Sequence, residues 1–157
     1  MQIYLASPLG FSPENKSYLT KIKHKLVKQG HIVFCPWEQT RYKRDLDCIP
    51  AITDYQTKID AYRTVASKIA AINEEGIRGC DAMLAVLDGQ EVDSGTASEI
   101  GFASALGKAC YGLRSDRRDS GDFVGLPINL QVLHFIETTG GCLFRRIDDI
   151  DVVVCSK

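Results

Sequence analysis

Short apolar runs alternate with longer amphipathic segments along this chain, and this alternation predicts its secondary structure. Four runs are strand-like: QIYLAS (2–7), HIVFCP (31–36), AMLAVL (82–87) and ACYGL (109–113). The segments between them carry apolar residues at helical spacing, or small residues typical of a helix, over 13–29, 53–78 and 94–107. Strands that alternate with helices form βαβ units, so the pattern predicts a parallel sheet with helices on both faces.

The remaining segments lack such a period. Residues 37–52 are interpreted as a polar loop, and 114–126 as a charged, Gly-rich loop. Near the end, VLHFIET (132–138) predicts a fifth strand, while RIDDIDVVV (146–154) fits either a helix or a strand. We therefore expect one α/β domain over residues 1–157, with a five-stranded, mainly parallel sheet of the Rossmann or flavodoxin-like type.

Composition argues against several kinds of partner. The chain has 157 residues and a net charge of −1, with acids and bases interspersed, and its apolar runs are far too short to span a bilayer. We therefore expect neither nucleic-acid nor membrane binding. Six scattered cysteines without a CxxC pair, together with three separate histidines, predict reduced thiols in a cytoplasmic protein and no metal site.

The most informative segment is DGQEVDSGTASEIGFASALGK, at residues 88–108. It follows a strand-like run, and two carboxylates, Asp93 and Glu99, lie on either side of a helix-opening turn. Backbone N–H groups at such a turn favour an anion, so a carboxylate held there can stay ionised and act as a nucleophile or base. The spacing Thr96-x-x-Glu99 also fits a capping box, in which Glu99 only stabilises its own helix.

Three blocks of the sequence resemble the nucleoside 2-deoxyribosyltransferase family. DG-x3-DSGTASEIG-x-A after CDAMLAVL is similar to the family's central motif, and IYLASPLGF to its first strand and the following loop. SDRRDSGDFVGLPINL is similar to the late loop that ends in Pro-x-Asn-Leu. The blocks stand in the family's order over most of residues 1–136. The resemblance implies an enzyme that transfers 2-deoxyribosyl groups between nucleobases, without a metal or organic cofactor.

The resemblance also implies roles for three side chains. Glu99 would attack C1′ of a 2′-deoxynucleoside and form a covalent deoxyribosyl-enzyme intermediate, so that two displacements retain configuration. Asp93 would handle the proton of the departing or incoming base, although Asp-Ser-Gly also suits a turn that this carboxylate stabilises. Tyr4 would hydrogen-bond the nucleophile, although a tyrosine in a strand is usually a core residue.

Four further positions are predicted to bind substrate. Phe11 resembles the family's base-stacking aromatic residue, and Gly95 lies within the DSGT motif. Trp37 and Glu38 follow the second strand, where base-contacting residues of the family tend to lie. A single Trp just beyond a strand could equally be a rim residue that covers the core.

Two asparagines complete the predicted site. Asn129 in LPINL matches a residue that reaches the sugar hydroxyls across a subunit interface, which implies a homo-oligomer such as a dimer, tetramer or hexamer; it also fits an ordinary N-cap after Pro. Asn73 stands where many members carry Asp. Because an amide cannot exchange a proton at that site, any acid role passes to Asp93, or Asn73 only orients the base.

Three functions remain open at this point. The first is deoxyribosyl transfer, with 2′-deoxynucleosides and free nucleobases as substrates. The second is hydrolysis by a related 2′-deoxynucleoside 5′-monophosphate N-glycosidase, which needs an anion pocket after the first strand. There SPLGFSPENK offers Ser7, Gly10 and Ser12 but no Arg. The third is a non-catalytic nucleotide-binding domain on the same fold, against which the joint presence of Tyr4, Asp93 and Glu99 argues.

Overall fold

The centre of the computed structural model, which describes residues 1–153, is a parallel sheet. In chain order its strands are β1 (Gln2–Ala6), β2 (Ile32–Phe34), β3 (Ala82–Val86), β4 (Ala109–Leu113) and β5 (Leu143–Phe144). They lie in the order β2–β1–β3–β4–β5, and every neighbouring pair is parallel. This is the flavodoxin-like order of a doubly wound sheet, so the predicted fold class is confirmed.

Helices cover both faces of this sheet. Within residues 1–153 the α-helices are α1 (Lys16–Lys28), α2 (Lys43–Cys48), α3 (Tyr55–Gly79), α4 (Ser94–Ala105) and α5 (Leu130–Thr138). Ile22 and Leu26 of α1 pack into the core on one face, together with Ile150 and Val152. The core on the other face is built from α3, α4 and α5. The site described below lies on the side of α3 and α4.

Alternation along the strands explains why both faces are covered. In β1, Ile3 and Leu5 enter one core, while Tyr4 and Ala6 enter the other. All five residues of β3 are buried, as expected for a strand with a helix layer on each side. The same alternation places the Tyr4 side chain on the α3–α4 face, beneath the carboxyl ends of the strands, where ligands of such sheets bind.

The structure corrects three predictions of local structure. The predicted strand at 132–138 belongs to helix α5, and the fifth strand is the two-residue pair β5. Val132 and Ile136 are four residues apart and both buried, which is a helical spacing within a segment whose apolar residues also suit a strand. Asn129 begins this helix by accepting from the backbone N–H groups of Gln131 and Val132.

The other two corrections concern short elements. The predicted polar loop at 37–52 contains α2 and two 3-10 turns, Pro36–Glu38 and Ile49–Ala51. These elements are held by tertiary contacts rather than by a periodic pattern: Ile49 is buried, and Lys68 of α3 forms an ion pair with Asp45 at 2.6 Å. Of 146–154, only Ile147–Asp149 is regular, as a 3-10 turn, and Val154 lies outside the described residues.

None of the helices within residues 1–153 combines the length and the apolar character that crossing a bilayer requires.

Candidate active site

A cleft of about 260 Å³ opens at the carboxyl ends of β1, β2 and β3. We call it the Glu99 cleft. Its lining residues come from the loops after β1 and β2, from α3, and from the start of α4; they are Ser7, Phe11, Pro36, Trp37, Tyr42, Ile69, Asn73, Asp93, Gly95, Thr96 and Glu99. Six of the nine predicted site residues are therefore together in one cavity.

Glu99 forms the cleft's best-defined polar contact. The Tyr4 hydroxyl donates to Glu99 Oε1 at 2.6 Å, a short bond of the kind that a charged acceptor makes. Tyr4 is fully buried on β1, and Glu99 is on the second turn of α4, so the bond joins the sheet to the helix. Glu99 does not close a capping box with Thr96, because the residue that caps α4 is Asp93.

Burial shifts the pKa of both side chains that form this hydrogen bond. It raises the pKa of Glu99, an effect that the Tyr4 hydrogen bond opposes and the nearby negative charge of Asp93 reinforces. It also raises the pKa of Tyr4 well above its usual range, and the Glu99 charge adds to that rise. Tyr4 therefore remains a neutral donor across the physiological range, and it favours the ionised form of Glu99.

Asp93 lies at the entrance of α4. Its Oδ2 accepts from the Thr96 backbone N–H at 2.9 Å and from the Thr96 hydroxyl at 3.1 Å, so the predicted turn-stabilising role is real and takes the form of an N-cap. Capping uses Oδ2, and the same carboxylate lines the Glu99 cleft. A Cβ on Gly95 would lie 3.1 Å from Oδ2, so the small residue leaves this carboxylate room.

Aromatic rings form the outer wall of the cleft. The Trp37 indole N–H donates to the Ser7 carbonyl at 2.7 Å, which ties the loop after β2 to the loop after β1. Phe11 meets Trp37 edge-to-face, with ring centroids 4.6 Å apart, and Phe11 itself is 77% exposed. The indole packs directly on Gly10, where a Cβ would lie 1.9 Å from the ring. Two aromatic rings, of which Phe11 is largely exposed, therefore line the cavity.

Helix α3 supplies the opposite wall. Ile69 and Asn73 lie four residues apart on one face and both line the cleft, so the Asn73 amide is the polar group on this side. Tyr42 also lines the cavity. Sequence reasoning missed Tyr42, Ile69 and Thr96 as lining residues. Tyr42 lies in the segment taken for a loop, whereas the i, i+4 relation of Ile69 to Asn73 was a usable signal.

Besides Tyr4, which hydrogen-bonds to Glu99, two predicted site residues lie outside the lining of this cavity. The Glu38 carboxylate forms an ion pair with Lys23 of α1 at 2.5 Å and is not among the lining residues of the cleft. Asn129 caps α5 and lines a separate depression of about 400 Å³, which we call the Asn129 depression. Its lining residues are Glu91, Val92, Ala97, Ser120, Gly121, Asp122, Asn129 and Val132.

Arg114 is a further residue that the sequence did not reveal. It follows β4, is completely buried, and makes hydrogen bonds to uncharged oxygen atoms. Its two terminal nitrogens donate to the carbonyls of Leu87 and Gly89 and, on the other side, to the Arg118 carbonyl and the Ser120 hydroxyl. Arg114 thus fastens the loop that leads to Asp93 to the loop that leads to Asn129.

Within residues 1–153, no group of three or more His, Cys, Asp or Glu side chains is arranged to hold a metal ion. The polar groups that the Glu99 cleft offers are carboxylates, hydroxyls and one amide. Together they suit a substrate with an apolar face, a hydrogen-bonding edge and an electrophilic carbon within reach of a carboxylate.

A flavodoxin-like sheet with a half-buried carboxylate paired to a tyrosine at its carboxyl end describes a class of enzyme that acts on small molecules. The family model for nucleoside 2-deoxyribosyltransferase matches residues 3–131. The chain belongs to that family, whose enzymes are of the deoxyribosyltransferase and N-glycosidase type. A search of curated proteins found no match.

Solved structures from three bacteria share this fold. A conserved protein from Enterococcus faecalis V583 is 23% identical, with a TM-score of 0.66 and coverage of 95% of this chain and 93% of that one. A 2-deoxyribosyltransferase from Bacillus psychrosaccharolyticus is 22% identical, with a TM-score of 0.59 and coverage of 95% of this chain and 89% of that one. A CMP N-glycosidase from Clostridium botulinum is 15% identical, with a TM-score of 0.54 and coverage of 95% of this chain and 94% of that one. At these identities the likeness concerns the fold.

Proposed function

We propose that this protein transfers the 2-deoxyribosyl group between nucleobases through a covalent intermediate on Glu99. The observation that carries the proposal is the Tyr4–Glu99 hydrogen bond of 2.6 Å at the base of an aromatic-walled cleft. A half-buried carboxylate held by one neutral donor keeps a second oxygen for bonding to carbon. Family membership supplies the substrate class, 2′-deoxynucleosides and free nucleobases.

In the first half-reaction, a Glu99 oxygen bonds to C1′ while the C1′–N bond breaks and its electron pair leaves with the base. The transition state resembles an oxocarbenium ion, so the negative charge of Glu99 stabilises it before the bond forms. Asp93 is the group on the cleft wall that can exchange a proton with the base, and Asn73 orients the base by hydrogen bonding. The incoming base then reverses these steps, and two inversions give net retention.

Two features favour a nucleoside over a nucleoside monophosphate. The described lining residues of the Glu99 cleft include no Lys, Arg or His that could pair with a phosphate. Two cations on neighbouring elements are already engaged, Lys23 with Glu38 and Arg41 with Glu75.

We also propose that the working form is a homo-oligomer with two-fold interfaces. Asn129 lines a depression apart from the Glu99 cleft of its own chain, so its predicted contact with a sugar needs a neighbouring copy. Phe123 and Val124, close to it in the chain, are largely exposed apolar residues of the kind that subunit contacts bury.

A cytoplasmic location fits the thiols. Each of the five cysteines within residues 1–153 is free rather than joined in a disulfide, which is the usual state in a reducing compartment. Cys155 lies outside the described residues.

The test is a base-exchange assay with deoxyinosine as donor and adenine as acceptor, followed by chromatography of the products. The proposal predicts deoxyadenosine and hypoxanthine in equal amounts. A parallel incubation with a 5′-monophosphate such as dCMP separates the hydrolase alternative. Release of cytosine and a sugar phosphate from dCMP, without exchange from deoxyinosine, would contradict the transferase proposal and favour the N-glycosidase.

A further inference from the structure

A glycine in the middle of a long helix marks an unusually close contact beneath the site. Gly76 is buried within α3, where glycine costs about 1 kcal/mol of helix stability relative to alanine. A Cβ built at this position would lie 2.4 Å from Cε1 and 2.5 Å from Cζ of Phe34. Real Cβ atoms do not approach an aromatic ring so closely, so the absence of a side chain at residue 76 is what admits the ring.

The Phe34 ring lies on the Tyr4 ring. Tyr4 and Phe34 are register partners on adjacent strands, and their rings are nearly parallel, with a 13° interplanar angle and centroids 5.4 Å apart. The Tyr4 hydroxyl donates to Glu99. A continuous line of contacts therefore runs from the α3 backbone at Gly76, through two stacked rings, to the carboxylate in the cleft.

We propose that Gly76 and Phe34 are positioning residues, which set the Tyr4 hydroxyl against Glu99 by fixing the spacing between α3 and the sheet. The inference rests on the proposed function of Glu99 but concerns residues that do not touch substrate. Asn73 lies on α3 one turn before Gly76 and lines the cleft. The same spacing therefore also sets how far the Asn73 amide stands from Glu99.

Displacement of Tyr4 would change the pKa of Glu99, and the groups around this carboxyl determine the direction of the change. From β1 the Tyr4 hydrogen bond lowers the pKa of Glu99, and from the start of α4 the Asp93 charge raises it. The thiols of Cys35 and Cys80 act on Tyr4 rather than on Glu99. Loss of the Tyr4 bond leaves burial and Asp93 unopposed, so the pKa of Glu99 rises.

The experiment compares Gly76→Ala with Gly79→Ala and with Gly76→Ala/Phe34→Leu. Gly79 ends the same helix, and a Cβ there meets nothing within 4 Å, so Gly79→Ala is the matched control. Phe34→Leu removes about as much volume as Gly76→Ala adds, which gives the double variant room to restore the spacing. Two readouts are taken: 13C NMR titration of the Glu99 carboxyl in the free protein, and the rate of base release from deoxyinosine.

For Gly76→Ala we expect an upward shift of the Glu99 titration and a loss of about tenfold or more in rate, since small misplacements near reacting groups have effects of this size. The double variant should be more active than Gly76→Ala, and Gly79→Ala should match wild type. If Gly76→Ala does not fold, Phe34→Leu alone should shift the Glu99 titration in the same direction.

An unshifted titration in both Gly76→Ala and Phe34→Leu, or purely additive losses in the double variant, would overturn the inference. Wild-type protein that releases no base would instead overturn the proposed function. The NMR titration still decides the positioning roles in that event.

Discussion

The two cavities of this molecule differ in how complete they are. The Glu99 cleft is lined from four parts of the chain, has rings on its outer wall, and contains a carboxylate held at 2.6 Å by a buried tyrosine. The Asn129 depression is larger, at about 400 Å³, and its lining is mostly polar. Among residues 1–153, the side chain of Asn129 makes long contacts of 3.3 and 3.5 Å to Asp122 besides its capping bonds.

Because of this difference, we assign different roles to the two cavities. The cleft has what bond breaking at C1′ requires: a nucleophile, its hydrogen-bond donor and surfaces for a base. The depression has a hydrogen-bonding side chain near exposed apolar residues but no comparable carboxylate–tyrosine pair. Under our proposal the cleft performs the chemistry, and the depression completes the cleft of a neighbouring copy.

The largest expected effect is that of Glu99→Gln, which should reduce base exchange about 10⁴-fold or more, because an amide cannot form the ester intermediate. The fold should survive, since Tyr4 can donate to the amide oxygen as it does to the carboxylate. Rates of deoxyadenosine formation and the circular dichroism spectrum check this. Glu137→Gln on the exposed face of α5 is the charge-matched control. A Glu99→Gln variant with near-normal turnover would leave the cleft without its proposed role.

The second largest effect is expected for Tyr4→Phe. This variant should lower the rate of base exchange about 10- to 100-fold, the size expected for the loss of a hydrogen bond to a charged group. The pH profile should change as well. The Tyr4 bond lowers the pKa of Glu99, so its removal raises that pKa and the ionised form persists only at higher pH. The acid limb of kcat/KM should therefore move to higher pH. An unmoved limb would show that Tyr4 acts only as a core residue.

Arg114→Ala tests the connection between the two cavities. The change leaves the buried carbonyl of Leu87 and the half-buried carbonyl of Gly89 without their donor, so we expect the free energy of unfolding to fall by about 3 kcal/mol or more. Urea denaturation measures it. Arg117→Ala, on an exposed neighbour, should stay within about 0.5 kcal/mol of wild type. Equal stability of the two variants would mean that the two loops keep their positions without the Arg114 guanidinium.

Asn129→Ser separates capping from sugar binding and should have the smallest effect on stability. A serine oxygen can replace the cap, so the free energy of unfolding should change by only a few tenths of a kcal/mol. Activity should fall about tenfold if a neighbouring sugar uses the amide, as for one lost hydrogen bond. Full activity, or a fully active monomer in sedimentation, would remove Asn129 from the site.

The sequence predicted the Glu99 cleft better than it predicted the region of Asn129. Strands β1, β3 and β4 are short apolar runs with buried residues on both faces, and β2 is a shorter apolar run at the edge of the sheet; such runs are visible without coordinates. The DSGTASE turn likewise placed Asp93 and Glu99 together, because local spacing determines which residues lie on the first turns of a helix.

Tertiary contacts explain what was missed. Helix α2 has few apolar residues of its own and depends on α3, and β5 is only two residues long and pairs with β4. In the sequence, Arg114 resembles any other charged residue of a loop. Its role depends on carbonyl groups that only the folded chain brings around it. Glu38 was placed in the site by its position after β2, but an ion pair with Lys23 of α1 engages it, and nothing in the local pattern indicates that partner.

The central claim is that Glu99 bonds covalently to the sugar. The most direct measurement is intact-protein and peptide mass spectrometry after a rapid acid quench of the enzyme with deoxyinosine and no acceptor. Our account predicts one deoxyribosyl group on the peptide that contains Glu99, which disappears when adenine is added and deoxyadenosine forms. It also predicts no adduct on Glu99→Gln. Exchange that proceeds without any adduct, or with an adduct on another residue, would contradict the account.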